Sequence, residues 1–229
     1  MSCILHIETS TEVCSVAVSH CGAAIFHNED FTGHTHSVAL GVMVDEAMSF
    51  ADSHAIPLDA VAVSCGPGSY TGLRIGVSMA KGICYALDIP LIPVGTLQVM
   101  SVPVLLLQEL PDDALLCPMI DARRMEVYCA VYDRALRTVR DVDAVVVSED
   151  SFAGLLEDRP VYFFGGGADK CRELIRGGNA HFIDGIHPLA KWMFPLAERA
   201  NVKGEFADTA YFEPFYLKEF VATKPKRLI

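Results

Sequence analysis

Apolar residues in the first hundred positions form short runs separated by turns and by two longer stretches with helical spacing. The turn at His20-Cys21-Gly22 lies between two alternating runs and predicts an antiparallel hairpin. The predicted strands are 4–7, 13–18, 24–26, 60–64 and 91–94, and the predicted helices are 37–54 and 72–87. This order of elements is typical of an α/β lobe.

The second half of the chain repeats this order loosely, beginning with another strand meander near Pro103. Its predicted strands are 115–120, 125–132, 144–147 and 161–164, followed by a helix near 187–201. We therefore expect a first lobe over 1–101, rejoined by the helix near 187–203, a smaller second lobe over 102–186, and a C-terminal tail over 204–229.

Composition narrows the class of protein. Of 229 residues, 52% are hydrophobic, which excludes disorder as the main state. No apolar run approaches the length of about 18–20 residues that a membrane span needs, and the first residues lack the basic and apolar regions of a secretory signal. The eight cysteines are scattered with no Cys-x-x-Cys pair, which favours reduced thiols in a cytoplasmic protein over disulfides or structural zinc.

Charge argues against a nucleic-acid platform. The formal net charge is −11, and residues 1–101 contain only two cations, Arg74 and Lys81, against nine acidic residues. Nucleic-acid backbones require clustered lysine and arginine. Although the end of the chain from Lys218 is locally basic, we expect negligible nucleic-acid affinity for this chain alone.

Three loops carry candidate chemistry. The segment 7–11, Ile-Glu-Thr-Ser-Thr, either offers backbone N–H groups to a phosphate or forms a polar turn. The segment 64–74 holds three glycines, and Thr71 is a candidate helix cap, yet the lysine of a P-loop is missing, which favours a strand–loop–helix joint. The segment 163–168 is a glycine run after a strand, suited to a nucleotide or to a common turn.

Together these segments closely resemble the bacterial TsaB (YeaZ) family, the dimerisation subunit of the tRNA N6-threonylcarbamoyladenosine synthesis complex. The opening Ile-Glu-Thr-Ser at 7–10 contributes, as do 80–82, 95–97, 121–128 and 213–217, so that the resemblance runs from residue 3 to about 218. Its strongest part is a stretch that we call the signature loop: Gly66, Pro67, Gly68, Ser69, Tyr70, Thr71, Gly72, Leu73 and Arg74.

The resemblance implies a two-lobed actin-like ATPase (ASKHA) fold, each lobe a mixed sheet with helices. It implies a cytoplasmic, non-catalytic subunit that binds and activates TsaD for threonylcarbamoyl transfer to the adenosine next to the anticodon of tRNAs reading ANN codons. It further implies the TsaE ATPase as a partner, tRNA contact only through the complex, and a homodimer when the chain is alone. No cofactor is expected on this chain alone, and ATP or ADP at the partner interface stays open.

The sequence lacks the residues that two other functions of this superfamily would need. An ATP-dependent phosphotransferase requires two open phosphate loops, but the second-lobe turn 121–124, Asp-Ala-Arg-Arg, fills that place with side chains. A glycoprotease-like metallopeptidase requires a metal-binding motif. The nearest arrangement, His34-Thr35-His36, lacks a third ligand and is a poor zinc site. We therefore expect no catalytic residue and no metal-binding residue in this chain, and no appreciable ATPase activity.

The helix over 37–54 is the predicted partner interface, because its apolar residues cover more of the circumference than one stripe. These residues are Val38, Leu40, Gly41, Val42, Met43, Val44, Ala47 and Met48. One side must pack on the sheet, and the other is expected to bind the partner, so that a charge at Val42 or Met43 should abolish binding. The alternative is a helix buried between the sheet and the helix over 72–87.

Overall fold

The computed structural model describes residues 2–33 and 36–218. The first sheet and its first two helices are formed by β1 (Cys3–Glu8), β2 (Cys14–His20), β3 (Ala23–Asp30), α1 (His36–Ser53), β4 (Ala60–Gly66), α2 (Tyr70–Leu87) and β5 (Leu91–Gly95). The remaining elements are α3 (Thr96–Leu107), β6 (Leu115–Asp121), β7 (Glu126–Tyr132), β8 (Thr138–Val146), α4 (Ala153–Asp158), β9 (Val161–Phe164), β10 (Ala180–Ile183) and α5 (Phe194–Lys203).

The two sheets have the same topology. The first has the order β3-β2-β1-β4-β5, and the second, read from its meander edge, has the order β8-β7-β6-β9-β10. In each sheet the leading strand pairs antiparallel with the second and parallel with the fourth. This duplication confirms the predicted α/β class and the two-lobed actin-like ATPase fold with mixed sheets.

Both faces of the first sheet are covered by helices. Side chains of alternating strand positions, such as Leu5 and Ile7, pack beneath α1 and α2. The intervening positions, such as Ile4 and Ala62, pack on the opposite face with α3 and α5. The central strands of a sheet covered on both faces are buried along their length, and β1 and β4 are buried at every position except the partly buried Cys65.

Helix α3 was not predicted, and it crosses the expected lobe boundary at 101/102. Val99 and Val102 pack in the core of the first sheet, whereas Leu97 and Met100 pack with the second sheet. Because α3 is apolar on almost every side, it lacks the single stripe that marks an amphipathic helix. Pro103, which suggested the start of a new unit, lies inside this helix.

Several other boundaries differ from expectation. The last helix begins at Phe194 and not near 187, since Pro195 suits the first turn of a helix. The strand β8 begins at Thr138, six residues earlier than predicted, and neither α4 nor β10 was predicted. The turn between β2 and β3 is the expected tight hairpin, with positive φ at Cys21 and Gly22.

The structure has all eight cysteines as free thiols, and their burial is not uniform. Six are buried, Cys65 is partly buried, and Cys21 in the hairpin turn is exposed. Within residues 2–33 and 36–218, none of the helices has the length and apolar character needed to cross a lipid bilayer.

Candidate functional site

The signature loop packs directly against the turn that follows β1. Three glycines four residues apart face Thr9 and Ser10. Gly68 precedes α2, and Gly72 and Gly76 lie on successive turns of it. A Cβ atom on any of the three would lie within 3.0 Å of an atom of Thr9 or Ser10. The glycine spacing therefore serves close helix-to-loop packing.

Hydrogen bonds fix this contact. The Ser69 amide donates to the Ser10 carbonyl at 2.6 Å, and the Thr9 hydroxyl donates to the Gly72 carbonyl at 2.7 Å. The Ser69 hydroxyl accepts from the Gly72 amide at 3.3 Å, so that Ser69 and not the predicted Thr71 caps α2. The signature loop is a strand–loop–helix joint, as the residue pattern favoured.

An amide group of the turn after β1 is used in a hydrogen bond within the turn. The Ser10 amide donates to the Glu8 carboxylate at 2.6 Å. Together with the Ser69 amide, which binds the Ser10 carbonyl, this removes two N–H groups that a phosphate cradle would present. Of the two interpretations of segment 7–11, the geometry supports the polar turn.

Glu8 is completely buried at the end of β1. Burial raises the pKa of its carboxyl to about 7, and the hydrogen bonds from Ser10 offset this only in part. A carboxyl group enclosed in this way cannot reach a substrate outside the chain. It is a structural acid whose ionisation is coupled to folding.

In the corresponding loops of the second lobe, backbone amides are likewise hydrogen-bonded to carbonyls within the chain. The Gly167 amide donates to the Met119 carbonyl at 3.0 Å, and the Ala168 amide donates to the Gly165 carbonyl at 2.9 Å. In the β6–β7 turn, the Ala122 amide donates to the Glu126 carbonyl at 3.0 Å. These amides, like those of the first lobe, do not fit a phosphate group.

Lys170 holds the β6–β7 turn in this shape. Its ammonium group donates to the Asp121 carboxylate and to the carbonyls of Arg124 and Glu126, the latter two at 2.7 Å each. Partial burial opposes ionisation of Asp121, but the Lys170 ammonium and the Arg123 amide outweigh it and lower the pKa of that carboxyl. Arg123 and Arg124 have a left-handed backbone, with φ of 73° and 52°, and both residues are exposed at this turn.

Residues 207–218, which we call the C-terminal strap, return across the first lobe. Ala207 forms a β-bridge with Leu91 at the β5 edge of the sheet. Further along, the Lys81 ammonium donates to the carbonyls of Ala210 at 3.0 Å and Phe212 at 3.1 Å. Lys81, one of the two cations of residues 1–101, therefore anchors the strap to α2.

The end of the strap lies over the signature loop. The Phe215 amide donates to the Cys65 carbonyl at 2.7 Å. The Tyr216 ring packs on Tyr70 with a centroid distance of 4.7 Å. Lys218 then forms an ion pair with Glu126 of the second lobe. The predicted tail is thus ordered against both lobes as far as Lys218, and residues 219–229 lie outside the described residues.

An open groove of about 880 Å³ separates α1 from α2 on the surface. Its lining is mainly apolar and includes Met48, Tyr70, Ile75, Met79, Ile83 and Leu87. Neither helix alone displays this feature, since it forms only where the two lie side by side. The sequence prediction concerned α1 alone, whereas most residues that line the groove belong to α2.

The predicted interface residues of α1 divide into two sets. Val38, Gly41 and Val42 are exposed, with Val38 and Val42 exposing 66% and 59% of their surface, and Met48 is half-buried and lines the groove. The buried set is Leu40, Met43, Val44 and Ala47. The expectation that Met43 faces outward is wrong, because residues at this i, i+3, i+4, i+7 spacing form the stripe that packs on the first sheet.

The candidate metal pair falls only partly within the described residues. His34 and Thr35 lie outside them, and His36 begins α1 with its Nε2 2.7 Å from the Thr11 carbonyl. Among the residues that the structure describes, no group of three histidine, cysteine or acidic side chains could hold a metal ion.

Comparison with known proteins identifies the family of the chain. The family model described as TsaD, tRNA N6-adenosine threonylcarbamoyltransferase, matches residues 23–181. The tRNA threonylcarbamoyladenosine biosynthesis protein TsaB of Haemophilus influenzae is 35% identical over 96% of this chain and 95% of its own length. TsaB of Escherichia coli is 29% identical over 96% of both chains.

A solved structure gives the same result. YeaZ from Pseudomonas aeruginosa superposes with a TM-score of 0.76 at 27% identity, covering 95% of this chain and 100% of that one. The similarity in sequence to TsaB and in fold to YeaZ thus extends over almost the entire length of this chain. The chain belongs to the TsaB (YeaZ) family of tRNA threonylcarbamoyladenosine biosynthesis proteins.

Proposed function

We propose that this chain is a non-catalytic dimerisation subunit that binds the transferase TsaD and activates it for threonylcarbamoyl transfer to the adenosine next to the anticodon of tRNAs reading ANN codons. The observation that carries the proposal is the apolar groove between α1 and α2. An open groove of this kind fits an apolar helix of a partner protein.

Both helices also expose large apolar side chains. Val38 and Val42 are exposed on the outer face of α1, and near the end of α2 Tyr85 and Leu87 expose 88% and 45% of their surface. Clustered exposed apolar side chains are typical of a site of protein interaction. We propose that TsaD covers this surface in the complex, and that a second copy of the chain covers it when TsaD is absent.

The closed loops support a role without catalysis. The Ser10, Ser69 and Gly167 amides already have partners inside the chain, so they do not fit the phosphates of a nucleotide. Glu8, the acidic residue of the first of these loops, is completely buried. This argues against the alternative of an ATP-dependent phosphotransferase. ATP or ADP at the partner interface would have to be held largely by groups of TsaD.

The remaining partners are proposed to act through the complex. With a net charge of −11, this chain offers no cationic platform of its own for tRNA. We therefore place tRNA contact, and the action of the TsaE ATPase, on the assembled complex in the cytoplasm.

The test is reconstitution of threonylcarbamoylation with the purified subunits of one organism, each omitted in turn, together with an ATPase assay on this chain alone. We expect loss of product when this chain is omitted and no turnover by the chain itself. Full activity without it would contradict the proposal. So would an ATPase rate near about 10 per second, the median for enzymes, that is lost in a variant of the signature loop.

A further inference from the structure

Three side chains form a stack at the end of the α1–α2 groove. The Arg74 Nη1 donates to the Tyr70 hydroxyl at 2.9 Å, and its guanidinium carbon lies 5.4 Å from the centre of the Tyr70 ring. The Tyr70 ring in turn packs on Tyr216 of the C-terminal strap. Arg74 is nevertheless exposed to solvent. The stack holds the guanidinium in place while its other N–H groups stay available to a ligand.

The position of Arg74 connects two cavities. It lines the apolar groove of about 880 Å³ and also a smaller, polar cavity of about 280 Å³ beneath the strap. Ile75 and Met79, close to it on α2, line the groove. A partner helix seated in the groove would therefore pass beside one fixed positive charge.

Arg74 has no carboxylate partner within the chain as far as the structure describes it. Among the residues that the structure describes, no carboxylate lies within 4.0 Å of its guanidinium, whereas Arg134, Lys170, Arg172, Lys191, Lys203 and Lys218 each have one. The only other cation of residues 1–101, Lys81, is occupied by carbonyls of the strap. Among the described residues that line the groove, Arg74 is the one lysine or arginine, and it is exposed.

We propose that Arg74 is a charged anchor for partner docking and receives a carboxylate from the partner helix that occupies the α1–α2 groove. The planar fork of an arginine matches a carboxylate with two parallel hydrogen bonds. The partner segment is thus an amphipathic helix whose apolar face enters the groove and whose flank carries an aspartate or glutamate opposite Arg74. This inference rests on the proposed function, since the partner is the same.

The test measures the affinity of the purified partner for four forms of the full chain: wild type, Arg74→Met, Arg74→Lys and Arg199→Met. We expect Arg74→Met to bind about 10- to 100-fold more weakly, as arginine anchors of interfaces do. Arg74→Lys should recover only part of this loss because it lacks the fork. Arg199 is an exposed arginine of α5, on the opposite face of the first sheet, and its replacement should leave affinity unchanged.

Two further readouts separate a charge contact from lost packing. The difference between wild type and Arg74→Met should shrink as salt concentration rises. In addition, Arg74→Glu should lose binding, and one acid-to-lysine variant of the partner should restore it. Equal affinity of wild type and Arg74→Met, or no rescue by any acidic position of the partner, would overturn the inference.

Other outcomes assign the carboxylate elsewhere. Glu213 lines the smaller cavity together with Arg74. If Glu213→Gln abolishes the effect of Arg74→Met, the carboxylate is internal and the inference is wrong. If Arg74→Met reduces only self-association, the occupant is a second copy of the chain, and the inference is again wrong. Failure of the wild-type chain to bind at all would instead contradict the proposed function.

Discussion

Thr9 and Gly72 are in direct contact across the first lobe: the Thr9 hydroxyl donates to the Gly72 carbonyl at 2.7 Å, and no Cβ would fit between them. Thr9 follows β1, and Gly72 lies in the first turn of α2, so this contact fixes the start of the helix on the sheet. Since α2 forms one wall of the groove, the glycine positions the proposed binding surface as well.

Replacing Gly72 by alanine should therefore destabilise the chain. The new Cβ would meet backbone atoms of Thr9, which cannot move away as a flexible side chain could. We expect the free energy of unfolding to fall by at least about 2 kcal/mol, measured by urea denaturation.

Gly82 provides the matched control on the same helix, because a Cβ there would meet no atom within 4 Å. Gly82→Ala should raise the free energy of unfolding by roughly 0.5–1 kcal/mol, the usual gain for a helix interior. Equal stability of the two variants would show that the close approach of α2 to Thr9 is unimportant.

The buried Glu8 carboxyl predicts a specific dependence of stability on pH. Its folded-state pKa of about 7 lies above its ordinary value of 4.5. The folded state therefore holds this proton more tightly than the unfolded state. The resulting stabilisation is complete below pH 4.5 and is lost as the pH rises through 7, a fall of roughly 3 kcal/mol.

The variant Glu8→Gln isolates this effect. The difference in unfolding free energy between Glu8→Gln and wild type should grow in favour of the variant from about pH 5 to pH 8 and then level off. The exposed Glu157 serves as a control, and Glu157→Gln should show no such change. A constant difference between Glu8→Gln and wild type would mean that Glu8 is ionised over the entire range.

Lys81 should control the order of the C-terminal strap. Lys81→Met keeps the apolar stem but removes the two hydrogen bonds to the strap carbonyls. At a partly exposed site we expect a local loss of about 1–2 kcal/mol, equivalent to about 5- to 30-fold faster exchange of the Phe215 amide hydrogen.

Hydrogen exchange with mass spectrometry over residues 207–218 measures this loss. Lys203→Met removes a lysine that forms only an exposed pair with Glu205, and it should leave the strap unchanged. Unaltered exchange in Lys81→Met would indicate that the β-bridge at Ala207 and the Phe215 contact hold the strap without Lys81.

Periodicity predicted the strands and helices of the first lobe, because β1 and β4 are short buried runs and the apolar residues of α1 and α2 recur at helical spacing. It failed for α3, which lies between the two sheets and is apolar around its circumference. The spacing of Leu40, Met43, Val44 and Ala47 was sufficient to predict which side of α1 packs on the sheet. The prediction missed this because it treated all apolar residues of the helix together.

The family resemblance identified the signature loop, but residue types alone could not show what the loop does. The close approach of Gly72 to Thr9 and the burial of Glu8 depend on how β1 and α2 meet in three dimensions. The groove likewise depends on the distance between two helices, and the Arg74 stack depends on a strap more than a hundred residues away in sequence. Such features are tertiary, and no local pattern encodes them.

The central claim is that the outer face of α1 and the groove beside it bind TsaD. A carboxylate at exposed Val42 should not disturb the fold, yet it would be buried in the complex at a cost of several kcal/mol. At about 1.4 kcal/mol per tenfold change, this predicts at least about a 100-fold loss of affinity. At the buried Met43, by contrast, a charge should destabilise the chain itself.

The most direct test is a calorimetric titration of purified TsaD with wild type, Val42→Glu and Val202→Glu, each first shown to be folded by circular dichroism. Val202 exposes 84% of its surface on α5, across the sheet from α1, and so controls for an added surface charge. We predict that Val202→Glu binds as wild type does and that Val42→Glu does not bind measurably. Wild-type affinity in a folded Val42→Glu variant would contradict the proposed docking surface.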